Sequence, residues 1–189
     1  GPENIIVFAT GPYTAFQVPN SGKMVVAAKS PLTGGYGDGN LGTRAAVNMR
    51  KCGIDAAAVT GKAEKPVYLY VEDDTAEIRD AGHLWGKDSY ETEDWLLEKH
   101  GAAAGVLITG QSGENLCRLS TVVAQKGRAG GRPGMGAVMG SKNLKALVFK
   151  GSKEIPAANP NKLRELGRAG FAKIPKFDAF PGWKREGTM

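Results

Sequence analysis

Seven lysines or arginines and seven glycines fall between Thr121 and Lys153, and no aspartate or glutamate interrupts them. The centre of this stretch reads Lys126-Gly-Arg-Ala-Gly-Gly-Arg-Pro-Gly-Met-Gly136. Glycines let a backbone turn tightly and approach a ligand closely, and free N–H groups beside fixed positive charge bind anions. Arg128 and Arg132 add planar guanidinium forks that match phosphate oxygens. The chemistry these residues point to is the holding of something phosphorylated; a flexible surface loop with solvated charges is the plainer alternative. The segment is not a Walker A loop, because Met139-Gly140-Ser141-Lys142 reverses the required order of lysine and hydroxyl. It is not a dinucleotide fingerprint either, since Gly134, Gly136 and Gly140 place the third glycine one residue late. A second cluster, glycines 34, 35, 37, 39 and 42, surrounds Asp38 and Asn40. Those two residues suit a hard cation such as Mg²⁺, though ordinary turn chemistry is the reading the residues alone favour. Both clusters lead into a helix, so they can face one ligand from two sides.

The net charge of the 189-residue chain is +6, and the segment from Thr121 to Lys153 carries +7. The rest is about neutral, so the basicity is local. A basic patch also raises nucleic acid as a ligand, yet Thr121–Val148 contains no aromatic residue on which a base would stack. Cys52 and Cys117 stand far apart and form no Cys-x-x-Cys pair, which argues against a zinc or iron–sulfur site built from this chain alone. His83 and His100 are isolated and read as structural or surface residues. No apolar run approaches the roughly 18 residues of a membrane span, and no leader-like segment is visible; the setting reads as cytoplasmic. The chain opens on Gly1-Pro2-Glu3-Asn4 and stops at Met189 after a stretch that closes no element, so it reads as a piece of a longer protein.

The elements that must position these residues follow from the apolar pattern. Strands are expected at Ile5–Thr10, Lys23–Ala28, Ala56–Thr60, Gly105–Thr109, Leu119–Val123 and Leu144–Lys150, with Pro66–Val71 and Thr75–Arg79 forming a hairpin. Pro31–Gly42 and Gly127–Gly136 are expected as loops. Helices are expected at Leu41–Cys52, ended by Gly53, and at Ser89–His100, with Asp88 and Glu91 as a capping box and Gly101 as its end. Two more should run over Met135–Lys142 and from Asn159-Pro160 to about Phe171. The tail Lys173–Met189 is expected to be irregular. The pattern predicts a mixed α/β or α+β fold with substantial antiparallel pairing.

Gly127-Arg-Ala-Gly-Gly-Arg132 followed by Gly136-Ala-Val-Met-Gly-Ser-Lys-Asn-Leu-Lys-Ala146 resembles the aldehyde ferredoxin oxidoreductase family of tungsten bis-pterin enzymes. Phe8-Ala-Thr-Gly-Pro12, Lys29-Ser-Pro-Leu-Thr-Gly34, Gly61-Lys-Ala-Glu-Lys-Pro-Val-Tyr68, Glu77-Ile-Arg-Asp-Ala81, His83-Leu-Trp-Gly-Lys87 and Gly113-Glu-Asn-Leu116 agree in order, so the resemblance covers nearly the whole chain. It implies an N-terminal cofactor-binding domain over residues 1–155, lacking its first part, made of two β-sheets with flanking helices. Residues 156–189 would then be a helix and an irregular segment leading to cluster-binding domains outside this chain.

The resemblance further implies a tungsten or molybdenum bis-pyranopterin cofactor, its phosphates joined through a Mg²⁺ ion on the carbonyls of Asn40 and Ala129. Lys23, Asn40, Leu41, Gly42, Arg128, Ala129, Gly130 and Arg132 are the implied cofactor-binding residues, and none is implied to be catalytic. A [4Fe-4S] cluster would be held by later domains. The implied reaction oxidises an aldehyde to a carboxylic acid and passes electrons to ferredoxin, with a homo-oligomer or an iron–sulfur subunit as further partners; the fragment alone is not expected to turn over. A non-redox phosphate or nucleic-acid module remains the alternative from the residues. Three positions depart from the family pattern. Lys23 stands where an arginine is common and lacks its planar fork, Pro133 replaces a glycine and removes an N–H donor, and Leu41 stands where a small polar residue is usual.

Overall fold

The computed structural model describes residues 1–187. Ten strands form two sheets, with helices on and between them. The first sheet has the order β3-β2-β1-β4, from β1 (Ile6–Thr10), β2 (Lys23–Lys29), β3 (Tyr36–Gly42) and β4 (Ala56–Val59), and is antiparallel throughout. The second comprises β5 (Val67–Glu72), β6 (Thr75–Asp80), β7 (Gly105–Ile108), β8 (Val122–Ala124), β9 (Arg128–Gly130) and β10 (Leu144–Lys150), in the order β6-β5-β10-β7-β8-β9. Only its β5–β10 pair is parallel. The mixed fold and the two sheets agree with the sequence expectation.

In β1 and β2, Ile6, Phe8, Met24 and Val26 alternate with less buried neighbours and fill the space between the sheets. Strand β10 is buried on both sides and therefore carries a nearly continuous apolar run. Its Leu147 and Phe149 face the first sheet, while Ala146 and Val148 face a second core with Tyr68, Leu84, Leu96 and Ile108. Helices α1 (Arg44–Lys51) and α4 (Met135–Ser141) touch both sheets. Close approach demands small residues there. A Cβ on Gly105 would overlap the backbone of α1 at Ala45, and one on Gly140 would overlap Gly113 of the one-turn helix α3 (Gln111–Glu114). Gly136 likewise rests on the Thr121 carbonyl and Ser120. Two of the glycines in the basic segment therefore serve packing and not a ligand.

Helix α2 (Ser89–His100) covers the second core, and its ends are as the sequence predicts. Asp88 Oδ1 accepts from the Tyr90 and Glu91 amides at 2.8 Å, Glu91 reaches back to the Asp88 amide, and Gly101 follows at φ +99°. Helix α5 (Pro160–Lys173) begins on Asn159, whose side chain accepts from the Lys162 amide at 2.9 Å.

Five expectations need correction. Pro31–Gly42 is not all loop, because Tyr36–Gly42 is strand β3, hydrogen-bonded along its length to β2. Helix α1 starts at Arg44 and not Leu41, since Thr43 is the cap and accepts from the Ala45 amide at 3.1 Å. Gly127–Gly136 contains strand β9, and the strand expected over Leu119–Val123 is shifted to Val122–Ala124. The tail holds helix α6 (Phe180–Glu186). Thr188 and Met189, the end of that tail, lie outside the described residues.

Candidate functional site

Strands β3 and β9 are the neighbouring edges of the two sheets, and their glycines let the backbones meet. A Cβ on Gly39 would overlap the Gly131 amide nitrogen and stand 2.8 Å from the Gly131 Cα. One on Gly130 would stand 3.0 Å from the Leu41 Cβ and 3.3 Å from the Asn40 carbonyl oxygen. The two glycine-rich stretches thus form one seam. Pro133 fits it: its carbonyl accepts from Ser30 Oγ at 2.7 Å, and its ring lies against Gly37.

Beside the seam lies an open cleft of about 370 Å³ lined by Asn20, Lys23, Gly42, Thr43, Arg44, Gln125 and Arg128, among others. Lys23 pairs with Gly42 across β2 and β3. Arg128 Nη1 and the Lys23 side chain both come within 4 Å of the point where a Gly42 Cβ would stand. The amino end of α1 opens onto the same cleft, adding its dipole to the two cations. Of the sequence-predicted residues, Lys23, Gly42 and Arg128 share this cleft, while Asn40 and Gly130 meet in the seam beside it. Ala129 and Arg132 are exposed on the β9 side and do not line the cleft. The Leu41 side chain is buried in the core, so only its backbone faces outward chemistry. Arg44, Gln125 and Asn20 line the cleft without having been singled out in sequence. Thr43 ahead of Arg44-Ala-Ala was the one legible signal, as a helix cap.

The basic segment looks continuous in sequence and is dispersed in space. Lys126 pairs with Asp94 at 2.6 Å, Lys150 with Glu72 at 2.7 Å and Lys153 with Asp74 at 2.5 Å. The Asp94 and Asp74 hydrogen bonds hold the Lys126 and Lys153 ammonium groups above the ordinary lysine range. Lys145 is wholly buried against Glu114, whose other oxygen accepts from the Gly86 amide at 2.8 Å. Lys142 is buried on the carbonyls of Pro2 and Gly61, and burial lowers its pKa. Five of the seven cations are thereby engaged elsewhere. Among the described residues, Arg128, Arg132, Lys23 and Arg44 have no carboxylate partner. Of the segment's seven cations, Arg128 at the cleft and Arg132 next to the seam are thus the two left to meet a ligand.

The histidines have structural settings. His100 Nε2 lies 3.1 Å from the Tyr68 hydroxyl and its ring stacks on Tyr70 at 4.3 Å, and burial pushes its pKa down to about 4. His83 lies against Trp95. Among the described residues no group of three or more His, Cys, Asp or Glu side chains is placed to hold a metal. Both cysteines are free.

Residues 1–151 match the family model described as aldehyde ferredoxin oxidoreductase, N-terminal domain. The chain belongs to the aldehyde ferredoxin oxidoreductase family. It is 44% identical to the tungsten-containing aldehyde ferredoxin oxidoreductase of Pyrococcus abyssi over 176 residues, which is 93% of this chain and 29% of that protein. It is 34% identical to an aliphatic sulfonate oxidoreductase, WOR-like subunit, of Pyrococcus furiosus, over 97% of this chain and 31% of that protein. The solved active site complex BamBC of benzoyl coenzyme A reductase, with 1,5-dienoyl-CoA, superposes on it with a TM-score of 0.87 and 33% identity, over 93% of this chain and 27% of that one. The chain therefore spans less than a third of these relatives. The seam and the cleft lie within the region the aldehyde ferredoxin oxidoreductase model matches. Among the described residues no helix is long and apolar enough to cross a membrane.

Proposed function

We propose that this chain is the base on which a tungsten, or molybdenum, bis-pyranopterin cofactor sits in a ferredoxin-linked aldehyde oxidoreductase of the cytoplasm. The observation that carries the reading is the β3–β9 seam, where Gly39 and Gly131 bring two backbones together and leave Lys23 and Arg128 beside Gly42 without a carboxylate partner among the described residues. The fit is physical. A phosphorylated ligand supplies the negative charge these cations lack, and a side chain at Gly42 or Gly130 would take space at the cleft or the seam.

In this reading Lys23, Arg128 and Arg132 hold phosphate oxygens, and the backbone of Asn40, Leu41, Gly42 and Gly130 borders the ligand closely. The carbonyls of Asn40 and Ala129 would hold a Mg²⁺ ion, as suits a cation that prefers oxygen ligands. When bound, the cofactor supplies two-electron oxidation of an aldehyde to a carboxylic acid, with electrons leaving through a [4Fe-4S] cluster on later domains to ferredoxin. This chain's own part is to bind and orient, through residues 1–155, and 156–189 lead on to those domains. A Lys at position 23 contributes charge without a bidentate fork, so Arg128 is the stronger phosphate ligand of the pair facing Gly42.

The test is Arg128→Ala combined with Arg132→Ala in the full-length protein. Each charge-assisted hydrogen bond is worth about 1.5–3 kcal/mol, so metal and pterin content should fall severalfold or more. Unchanged content removes these side chains from the site.

A further inference from the structure

Arg128 is held in its place by a turn that is itself strained and clamped. The β8–β9 hairpin turns at Gln125-Lys126-Gly127, with Ala124 paired to Arg128. Gln125 and Lys126 both adopt left-handed backbone, at φ +48° and +56°, a conformation that is unfavourable for a residue with a side chain. Such a turn persists when its surroundings fix it, and here two helices do. Gln125 Oε1 accepts from the amide of Arg44, the first residue of α1, at 2.8 Å. Glu93 of α2, only 3% exposed, accepts from the Lys126 amide at 2.8 Å through Oε2. Asp94, the next residue of α2, pairs with the Lys126 ammonium at 2.6 Å.

Something must hold Arg128 there, because it stands next to Lys23 over Gly42 with no carboxylate to draw it in among the described residues. Like charges brought together repel, and a free arginine would swing into solvent. The backbone clamp two and three residues upstream limits that freedom before any ligand arrives. A preorganised cation also loses less entropy on binding than a mobile one.

We infer that Gln125 and Glu93 are positioning residues, which lock the β8–β9 turn between α1 and α2 and so hold Arg128 over Gly42 for the anion that occupies the cleft. This rests on the reading of the cleft as a seat for a cofactor phosphate. Glu93 does not line the cleft; Gln125 does, and its part here is the hydrogen bond to the Arg44 amide, which fixes the backbone that carries Arg128.

The experiment measures release of pterin, by fluorescence after oxidation, and of tungsten or molybdenum, by elemental mass spectrometry, from the full-length loaded protein at a fixed temperature. Gln125→Met keeps the stem and drops the acceptor oxygen, so release should quicken roughly fivefold to tenfold, with only a small fall in the unfolding midpoint because the lost hydrogen bond is an exposed one. The double variant Gln125→Met with Arg128→Ala should release no faster than Arg128→Ala alone, since a clamp without its arginine has nothing to position. Glu93→Gln keeps an acceptor and should stay within about twofold of the parent, while Glu93→Ala should not. Release from Gln125→Met at the parental rate, or additive effects in the double variant, would overturn the clamp and leave the cleft reading intact. An Arg128→Ala variant that releases at the parental rate would overturn the cleft reading, and the clamp with it.

Discussion

Adding one methyl group at Gly39 should separate the two sheets at the β3–β9 seam. A Cβ there would overlap the Gly131 nitrogen, stand 2.8 Å from the Gly131 Cα and 3.2 Å from the Gly130 carbonyl carbon. All three are backbone atoms, so no side chain can rotate away. Relief requires β3 and β9 to move apart, and overpacking against rigid surroundings costs about 1–3 kcal/mol or more. Taking the upper value, because both partners are main chain, Gly39→Ala should raise local opening of the seam on the order of 100-fold, at about 1.4 kcal/mol per tenfold. Gly127→Ala, in the same glycine-rich stretch, is the control. Its Cβ would meet nothing within 4 Å and its φ is not in the left-handed range, so the change should be neutral or stabilise by about 0.4–1 kcal/mol through the unfolded chain. Hydrogen–deuterium exchange of peptides covering 36–42 and 128–131 in the full-length protein reads both. Parental exchange in Gly39→Ala would refute the backbone contact between the sheets, and with it the geometry of the site.

Other outcomes follow from the buried polar groups. Lys145→Met leaves the Glu114 carboxylate, 5% exposed as a side chain, without its cation, and should destabilise by about 3–5 kcal/mol in urea unfolding, whereas Lys145→Met with Glu114→Gln should cost markedly less. His100 titrates near 4 in the folded protein against an ordinary 6.5. The unfolded chain thus takes up its proton first as pH falls, so the stability due to neutral His100 is full above about 6.5 and is lost as pH falls toward 4. Unfolding midpoints measured across that window should decline less in His100→Gln than in the parent, and equal slopes would contradict the assignment.

Where local chemistry alone sets structure, the sequence was a good guide. The Asp88–Glu91 capping box, the Asn159-Pro160 start of α5 and the apolar run of β10 each depend on near neighbours or on simple periodicity, and each stands where expected. Strand β3 was missed because Tyr-Gly-Asp-Gly-Asn-Leu-Gly has the composition of a turn. It is a strand because β2 supplies a full ladder on one side and because its glycines admit β9 on the other. The basic segment misled for a related reason. The acids that engage Lys126, Lys145, Lys150 and Lys153 come from residues 72 to 114, brought near only by the fold. Residue type and spacing single out Arg128 and Arg132 as candidate anion ligands, and the resemblance adds Lys23 and Asn40; the fold brings Lys23 and Arg128 together at the cleft and leaves Arg132 outside it. Gln125 was not legible, because its part depends on meeting the start of α1 some eighty residues earlier in the chain.

The measurement that bears most directly on the account is metal and pterin analysis of the natively purified full-length protein, grown with both tungstate and molybdate. Tungsten or molybdenum with about two pterins per metal is the predicted result. Protein carrying neither metal nor pterin would contradict it and reduce the seam and cleft to a general anion site.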